Sequence, residues 1–172
     1  DLPDQSICRV CPIGRYSDSK RQVDCKDCLA GTFNIEVGAT VCADCLPGTF
    51  VAEIGQVTCI SCGLGSFSAY NTSTNCTLCG AGSYQDNIGA TSCTACPVGY
   101  FLNGEGQNSC LKCPVGHFQN ETAQSGCIPC PQVSFNAETG RSNCTACSIG
   151  RFSLVEASLW CDVCPAGRFG VS

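Results

Sequence analysis

The chain has 172 residues and a net charge of −5; 20 residues are cysteine, tryptophan and histidine occur once each, and methionine is absent. No run of lysine or arginine suggests a nucleic-acid or anionic-membrane surface, and no apolar stretch approaches the roughly 18 residues of a membrane-spanning helix. A cysteine content this high is typical of a disulfide scaffold in an oxidising compartment. We therefore expect an extracellular or cell-surface location.

An internal repeat organises the chain. C-x-x-C pairs recur at a constant step of seventeen, without insertion or deletion, in units that read C-x-x-C-P-x-G-x-[FY] followed by a turn. The chain begins Asp-Leu-Pro without a methionine, which suggests a processed form or a piece of a longer protein. We interpret residues 1–7 as the end of a preceding repeat and residues 8–172 as ten tandem repeats, the last incomplete. The repeats begin at Cys8, Cys25, Cys42, Cys59, Cys76, Cys93, Cys110, Cys127, Cys144 and Cys161.

Two more positions are nearly constant, counting the first cysteine of a repeat as position 1. Position 7 is glycine except at Val133, and we expect this glycine to allow a positive φ or a close backbone approach. Position 9 is always aromatic, and we expect these rings to pack on disulfides and on each other as a narrow core. The position-9 residues are Tyr16, Phe33, Phe50, Phe67, Tyr84, Phe101, Phe118, Phe135, Phe152 and Phe169.

The turn and strand signals give the local structure of each unit. Five repeats carry glycine at position 14, which indicates a tight turn. In the second repeat, Phe33 to Val37 alternates apolar and polar residues, the period of a strand. The sequence therefore predicts two very short extended segments around a glycine turn in each unit and almost no helix. The predicted fold class is a small disulfide-rich tandem-repeat rod, solenoid-like, in which each unit contacts its neighbours.

Candidate modification sites lie in the turns. N-x-[ST] sequons occur at Asn71, Asn75, Asn120 and Asn143, where N-linked glycans would project from a surface turn. Cysteine occupies the middle position at Asn75 and Asn143, so we favour Asn71 and Asn120.

Acidic and histidine side chains give no catalytic pattern. Four glutamates share position 12, but one carboxylate per unit falls short of the six to eight oxygens that calcium prefers, so we interpret them as solvated turn residues. His117 has no cysteine, serine or carboxylate constellation near it in sequence. We therefore expect a protein that is not an enzyme and holds no metal or cofactor. The four glutamates are Glu36, Glu53, Glu121 and Glu138.

The ninth repeat differs from the others. Its turn carries Leu154, Val155, Leu159 and Trp160, the only tryptophan of the chain. If this turn is exposed, these side chains form an apolar patch of the kind that marks a contact with another molecule. The alternative is local packing against the eighth repeat, where Val133 replaces glycine.

Three disulfide patterns preserve the repeat period, and a fourth doubles it. The second cysteine of one repeat can close a fourteen-residue separation to the first cysteine of the next, each C-x-x-C can close on itself, or the first cysteine can join the second cysteine of the next repeat. Alternating pairing across two repeats would make the true unit twice as long. We favour the first, because each loop would contribute about 3 kcal/mol, whereas ten self-paired redox motifs without a thioredoxin-like pattern are implausible.

The favoured pattern leaves Cys8 and Cys164 to pair outside the chain. A zinc alternative exists, since two C-x-x-C pairs thirteen residues apart resemble a four-cysteine zinc spacing, but the sequons and the single-repeat period disfavour it. The favoured pairs are Cys11–Cys25, Cys28–Cys42, Cys45–Cys59, Cys62–Cys76, Cys79–Cys93, Cys96–Cys110, Cys113–Cys127, Cys130–Cys144 and Cys147–Cys161.

The segments Cys96–Phe101 and Cys164–Phe169 resemble the ephrin-receptor-like cysteine-rich repeat, and they are similar to the first module of tumour-necrosis-factor-receptor cysteine-rich domains. The resemblance extends over essentially the whole chain. It implies elongated extracellular stalks or ligand-binding rods. This chain departs from the receptors in its uniform repeats without longer second modules, which favours a mechanical or filament role.

Two functions follow as expectations. The first is a rigid extracellular rod that forms a segment of a fibre, filament or appendage, with self-association or neighbouring repeats of a longer chain as its partners. The second is the ectodomain stalk of a receptor or adhesin that binds a protein ligand along its length. A metal-storage protein is a third reading, which predicts thiolates and bound zinc. None of the three involves nucleic acid or direct insertion of this segment into a membrane.

Overall fold

The structure, a computed structural model, describes residues 8–168. The interpretation of residues 1–7 and the aromatic Phe169 lie outside the described residues. Within them there is no helix, and every strand has two residues. The strands are Arg15–Tyr16 (β1), Lys26–Asp27 (β2), Thr32–Phe33 (β3), Ala43–Asp44 (β4), Thr49–Phe50 (β5), Ile60–Ser61 (β6), Ser66–Phe67 (β7), Thr77–Leu78 (β8), Ser83–Tyr84 (β9), Thr94–Ala95 (β10), Tyr100–Phe101 (β11), Leu111–Lys112 (β12), His117–Phe118 (β13), Ile128–Pro129 (β14), Ser134–Phe135 (β15), Thr145–Ala146 (β16), Arg151–Phe152 (β17) and Asp162–Val163 (β18).

Consecutive strands pair two by two, from β1–β2 to β17–β18, to give nine two-stranded sheets in the described part of the chain. The first strand of a pair ends at the position-9 aromatic, and the second follows the first cysteine of the next repeat. In β3–β4, for example, Thr32 faces Asp44 and Phe33 faces Ala43 in antiparallel register. Hairpins this short are marginal in water, so other contacts must stabilise them. The predicted fold class, a small disulfide-rich tandem repeat of short strands and turns, is confirmed.

The predicted strand in the second repeat is shorter than its alternating sequence suggests. β3 ends at Phe33, and Asn34 turns the chain, because its Oδ1 accepts the Glu36 N–H at 3.0 Å while its Nδ2 donates to the Glu36 carbonyl at 2.9 Å. An asparagine side chain that binds the backbone two residues on competes with extended structure. The alternation of Ile35 and Val37 therefore belongs to a turn.

Two compact units divide the described residues, and each is built in the same way. The first holds residues 8–63, 67–77 and 88–92, and the second holds 64–66, 78–87 and 93–168. In the first unit, the Gly14 N–H donates to the Asn34 carbonyl at 2.8 Å, the Cys28 N–H to the Gly14 carbonyl at 2.9 Å, and the Gly38 N–H to the Cys11 carbonyl at 2.7 Å. These three bonds join one repeat to the next, and equivalent bonds recur at the repeat period within each unit.

The second unit repeats these bonds. The Gly99 N–H donates to the Gln119 carbonyl at 2.7 Å, the Cys113 N–H to the Gly99 carbonyl at 2.9 Å, and the Ala123 N–H to the Cys96 carbonyl at 2.9 Å. Because main-chain groups carry these links, the register from repeat to repeat does not depend on which side chains occupy the turns.

The core lies at positions 4 and 10 of the repeat, and the expectation of an aromatic core is wrong. The position-9 aromatics are half-buried, whereas position 10 holds buried residues as different as Val51 (2% exposed) and Asn136 (1% exposed). Because main-chain bonds join successive repeats, their backbones lie too close for a column of large rings between them. The second cysteines that are fully buried are Cys28, Cys45, Cys62, Cys79, Cys96, Cys113 and Cys130.

Seven of the position-7 glycines have both a positive φ and a backbone oxygen so close that a Cβ would clash with it. At Gly99, with φ of 81°, an added Cβ would lie 2.2 Å from the carbonyl oxygen of Gly140, which occupies position 14 two repeats further along the chain. The same clash recurs at Gly48, where the oxygen belongs to Gly89 and the distance would be 2.1 Å. Val133, the exception at position 7, also has a positive φ, 67°.

Candidate contact and glycosylation sites

Disulfides join the second cysteine of each repeat to the first cysteine of the next. All nine bonds of the described residues close a sequence separation of 14. The pairs are Cys11–Cys25, Cys28–Cys42, Cys45–Cys59, Cys62–Cys76, Cys79–Cys93, Cys96–Cys110, Cys113–Cys127, Cys130–Cys144 and Cys147–Cys161. Cys8, which is exposed, and Cys164, which is half-buried, lie outside these bonds.

The four sequon asparagines are all exposed. Asn71 precedes Thr72, which has a φ of 57° at position 14 and donates its N–H to the Cys45 carbonyl at 2.9 Å. The backbone of this turn is therefore held in place while the asparagine side chain points away from the core. Asn75 and Asn143 each directly precede a disulfide-bonded cysteine. An N-linked glycan requires a surface position, and glycosylation at these four asparagines stays a prediction.

The apolar turn of the ninth repeat is exposed. We call Leu154, Val155, Leu159 and Trp160 the repeat-9 patch; their exposed fractions are 72%, 65%, 37% and 65%. The eighth repeat does bind this turn through its backbone, since the Val133 N–H donates to the Ser153 carbonyl at 3.0 Å. This contact leaves the patch side chains uncovered, so local packing does not account for them.

A second apolar turn lies in the second repeat, and the sequence analysis missed it. Ile35, Val37 and Val41 are 65%, 68% and 71% exposed. Val10 borders the same turn, since a Cβ built on Gly38 would lie 3.8 Å from the Val10 Cγ1. We call these four valine and isoleucine residues the repeat-2 patch. The assumption that Ile35 and Val37 belonged to a strand concealed this patch.

Charged residues concentrate in the first repeat, another feature that sequence reasoning missed. Arg15 Nε donates to Asp27 Oδ1 at 2.5 Å across β1–β2, and Lys26 Nζ lies 2.8 Å from Asp18 Oδ2. The hydrogen bond from Arg15 lowers the pKa of Asp27, and the bond from Lys26 lowers the pKa of Asp18. Both pairs are solvent-exposed and of modest worth to stability. Arg15 and Asp27 occupy facing strand positions, and their opposite charges were the sequence signal that could have predicted this ion pair.

Other polar candidates do not converge on a reactive centre. The four position-12 glutamates are exposed; Glu138 lies 3.6 Å from Arg141, and Glu121 accepts a bond from Gln124 at 3.2 Å. His117 places its Nδ1 3.1 Å from the Val115 carbonyl oxygen. Among residues 8–168, no three histidine, cysteine or acidic side chains come together in a way that could bind a metal ion.

These features define a disulfide-rich tandem repeat of the type found in receptor ectodomains. The family model described as tyrosine-protein kinase ephrin type A/B receptor-like matches residues 3–45, 40–75, 65–101 and 99–143. These matches span more than half of the chain, which therefore belongs to this family. No curated protein matches the chain in sequence. The family and the disulfides indicate an extracellular domain, and no described helix has the length and apolar character to cross a membrane.

Proposed function

We propose that this chain is a structural segment of an extracellular fibre or appendage, in which the repeats form a rigid rod. The main support is the regularity of the links between repeats. The same main-chain hydrogen bonds and the same disulfide recur at every repeat step within each unit, without an interrupting loop. A binding site for one specific ligand usually disturbs a repeat, whereas an assembly of rods benefits from uniformity.

Rigidity in this account comes from cross-links instead of a deep apolar core. Each disulfide closes a fourteen-residue loop and contributes about 3 kcal/mol. In seven of these bonds the partner that is the second cysteine of its C-x-x-C pair is 0% exposed, so a reductant or a thiolate has poor access to that sulfur. Such a rod would resist reduction and proteolysis outside the cell. It would act without catalysis, bear N-linked glycans on its turns, and use Cys8 and Cys164 to bond neighbouring repeats or another copy.

A receptor or adhesin stalk is the second candidate. The match to the ephrin-receptor-like family favours it, because the members that give the family its name are receptors. In this case the repeats would hold a binding region away from a surface or bind a protein ligand along their length. The two candidates differ in whether copies of the chain associate with each other.

Electron microscopy of the native, unreduced protein tests the proposal. Fibres with an axial period commensurate with the seventeen-residue unit are the expected result, and a parallel sample treated with reductant should lose them. Single particles that stay monomeric at micromolar concentration would refute the fibre and favour the stalk. Small-angle scattering tests the rod, since a compact domain of this length has a radius of gyration of about 16 Å and a rod should exceed that value clearly.

A further inference from the structure

The turn of the sixth repeat carries an asparagine that is followed directly by a glycine. Asn103 and Gly104 occupy positions 11 and 12 of this repeat, and no other asparagine of the chain precedes a glycine. Asn103 is exposed and Gly104 is half-buried. An Asn-Gly step commonly serves a turn that needs a positive φ, yet neither residue has a positive φ here.

Packing does not require a glycine at position 12 of this repeat either. Apart from the chain neighbours, the nearest atoms to a Cβ built on Gly104 belong to the Gln107 side chain, at 3.8 and 3.9 Å. These are ordinary contact distances to a flexible side chain. The same position holds glutamate in four other repeats. What glycine changes at this position is the reactivity of the asparagine before it.

Glycine after asparagine favours an intramolecular reaction of the asparagine side chain. The backbone nitrogen of the following residue, once it has lost its proton to hydroxide, attacks the side-chain amide carbon Cγ. The bond from Cγ to the amide nitrogen breaks, and that nitrogen leaves as ammonia with a proton from water. The product is a succinimide ring, which water opens to aspartate or to isoaspartate. Because glycine has no Cβ, the backbone reaches the conformation for attack easily.

A hydrogen bond that restrains the position-12 N–H in three other repeats is missing from the sixth. In the seventh repeat, the Glu121 N–H donates to Gln119 Oε1 at 3.1 Å, and the second and fifth repeats form the same bond. The sixth repeat has Leu102 at position 10, whose side chain offers no acceptor. Within the part of the chain that the structure describes, no hydrogen bond involves the Gly104 N–H or the Asn103 side chain. The nitrogen that would attack is therefore unrestrained.

We propose that Asn103 is a site of spontaneous deamidation, made reactive by Gly104 and by the apolar residue at position 10. Asn120 is the internal comparison, because it occupies position 11 of the next repeat and precedes Glu121, whose N–H is hydrogen-bonded. Each converted copy gains one negative charge, so the protein becomes more acidic as it ages. Deamidation does not depend on the fibre function, and it would proceed in a stalk in the same way.

Isoaspartate at this site would loosen the links of the sixth repeat to both of its neighbours. On one side of Asn103, the Leu102 N–H donates to the Gln124 carbonyl at 3.1 Å. On the other side, the Gly106 N–H donates to the Cys79 carbonyl at 2.8 Å. Isoaspartate adds one carbon atom to the main chain between these two bonds, so we expect both to weaken.

Timed incubation of the disulfide-intact protein tests the proposal. Peptide mapping quantifies aspartate and isoaspartate at Asn103 and at Asn120, the latter in the fraction that carries no glycan. We expect Asn103 to convert about tenfold faster or more, because glycine leaves the attacking nitrogen open. The rate should rise with pH, because that nitrogen must lose its proton. An Asn103 that stays intact, or that converts no faster than Asn120, would overturn the proposal.

Two variants separate the contribution of the sequence from that of the fold, with intact disulfides, measured by mass, as the check that each has folded. Gly104→Ala, which the contact distances allow, should slow the conversion about tenfold or more, because the added Cβ crowds the attacking nitrogen. Leu102→Gln introduces the residue that is buried at position 10 of the fifth and seventh repeats.

Leu102→Gln should slow the conversion severalfold in the folded protein, because its side chain supplies an acceptor for the Gly104 N–H. In the reduced and unfolded chain, the same variant should convert as fast as the parent. A folded Gly104→Ala or Leu102→Gln protein that converts at the parent's rate would contradict the proposed cause of the reactivity and overturn the proposal.

Discussion

Alanine in place of a position-7 glycine should destabilise the fold more where a backbone oxygen lies close to the added Cβ than where none does. Gly99 and Gly150 both have positive φ, 81° and 78°, so alanine has a similar backbone cost at each, about 1 kcal/mol. They differ in their surroundings. A Cβ at Gly99 would lie 2.2 Å from the Gly140 oxygen, whereas no atom of residues 8–168 other than those of its chain neighbours lies within 4 Å of one at Gly150.

The magnitude follows from that contact. An approach of 2.2 Å to a carbonyl oxygen cannot be relieved by rotating a side chain, because both groups belong to the backbone. Forced backbone shifts of this kind typically cost a further ~1–3 kcal/mol. We therefore expect Gly99→Ala to lose about 2–4 kcal/mol and Gly150→Ala about 1 kcal/mol.

Amide hydrogen exchange measures both losses locally, which matters because repeat arrays open in parts. The matched probes are the amides that donate to the substituted residues' carbonyls, Cys113 to Gly99 and Cys164 to Gly150, each at 2.9 Å. The result of interest is the change in opening free energy relative to the parent chain. Equal losses at the two sites would refute the close approach as the reason for glycine.

Two further predictions concern buried and charged side chains. Asn136→Ala should lower the free energy of unfolding by about 1–3 kcal/mol, because Asn136 is 1% exposed and donates to the His117 carbonyl at 3.0 Å. The control is Asn143→Ala, at an exposed position. Urea unfolding should show the loss in the first variant and not in the second. Arg15 lowers the pKa of Asp27 in the folded chain. The ion pair therefore stabilises the fold fully at a pH above the ordinary aspartate pKa, and this stabilisation is lost as the pH falls through the lowered pKa of Asp27 in the folded chain. An NMR titration should place the Asp27 midpoint below 3.8 and return it towards that value in Arg15→Gln; a midpoint that does not move would contradict the ion pair.

The repeat class could be predicted from the sequence, but the core could not. Regular cysteine spacing and the glycine at nine of the ten position-7 sites reflect constraints that few residue types satisfy. Position 10 carries no such signature, because Val51 fills its site with methyl groups whereas Asn34 satisfies its site through hydrogen bonds to Arg15 and Glu36. Burial at this position arises from the approach of neighbouring repeats, which a single repeat's sequence does not display.

Backbone conformation and the exposed apolar turns were likewise only partly predictable. Glycine at position 14 indicated a tight turn, yet Arg21, Thr72, Ala123 and Ala157 adopt the same positive φ at that position. The surrounding hydrogen bonds hold these residues there despite the local cost. The repeat-9 patch could be identified from its residue types, whereas the repeat-2 patch could be recognised only after the predicted strand proved to be a turn.

The central claim is that each repeat is closed by a disulfide to the next, and disulfide mapping tests it most directly. The native protein, blocked at its thiols and digested without reduction, should yield linked peptides for the nine pairs with a separation of 14. The digestion needs a protease that does not depend on lysine or arginine, since residues 27–111 contain neither. The account would be contradicted by peptides linked within a C-x-x-C pair or across two repeats. A native protein that binds zinc and has mostly reactive thiols would also contradict it.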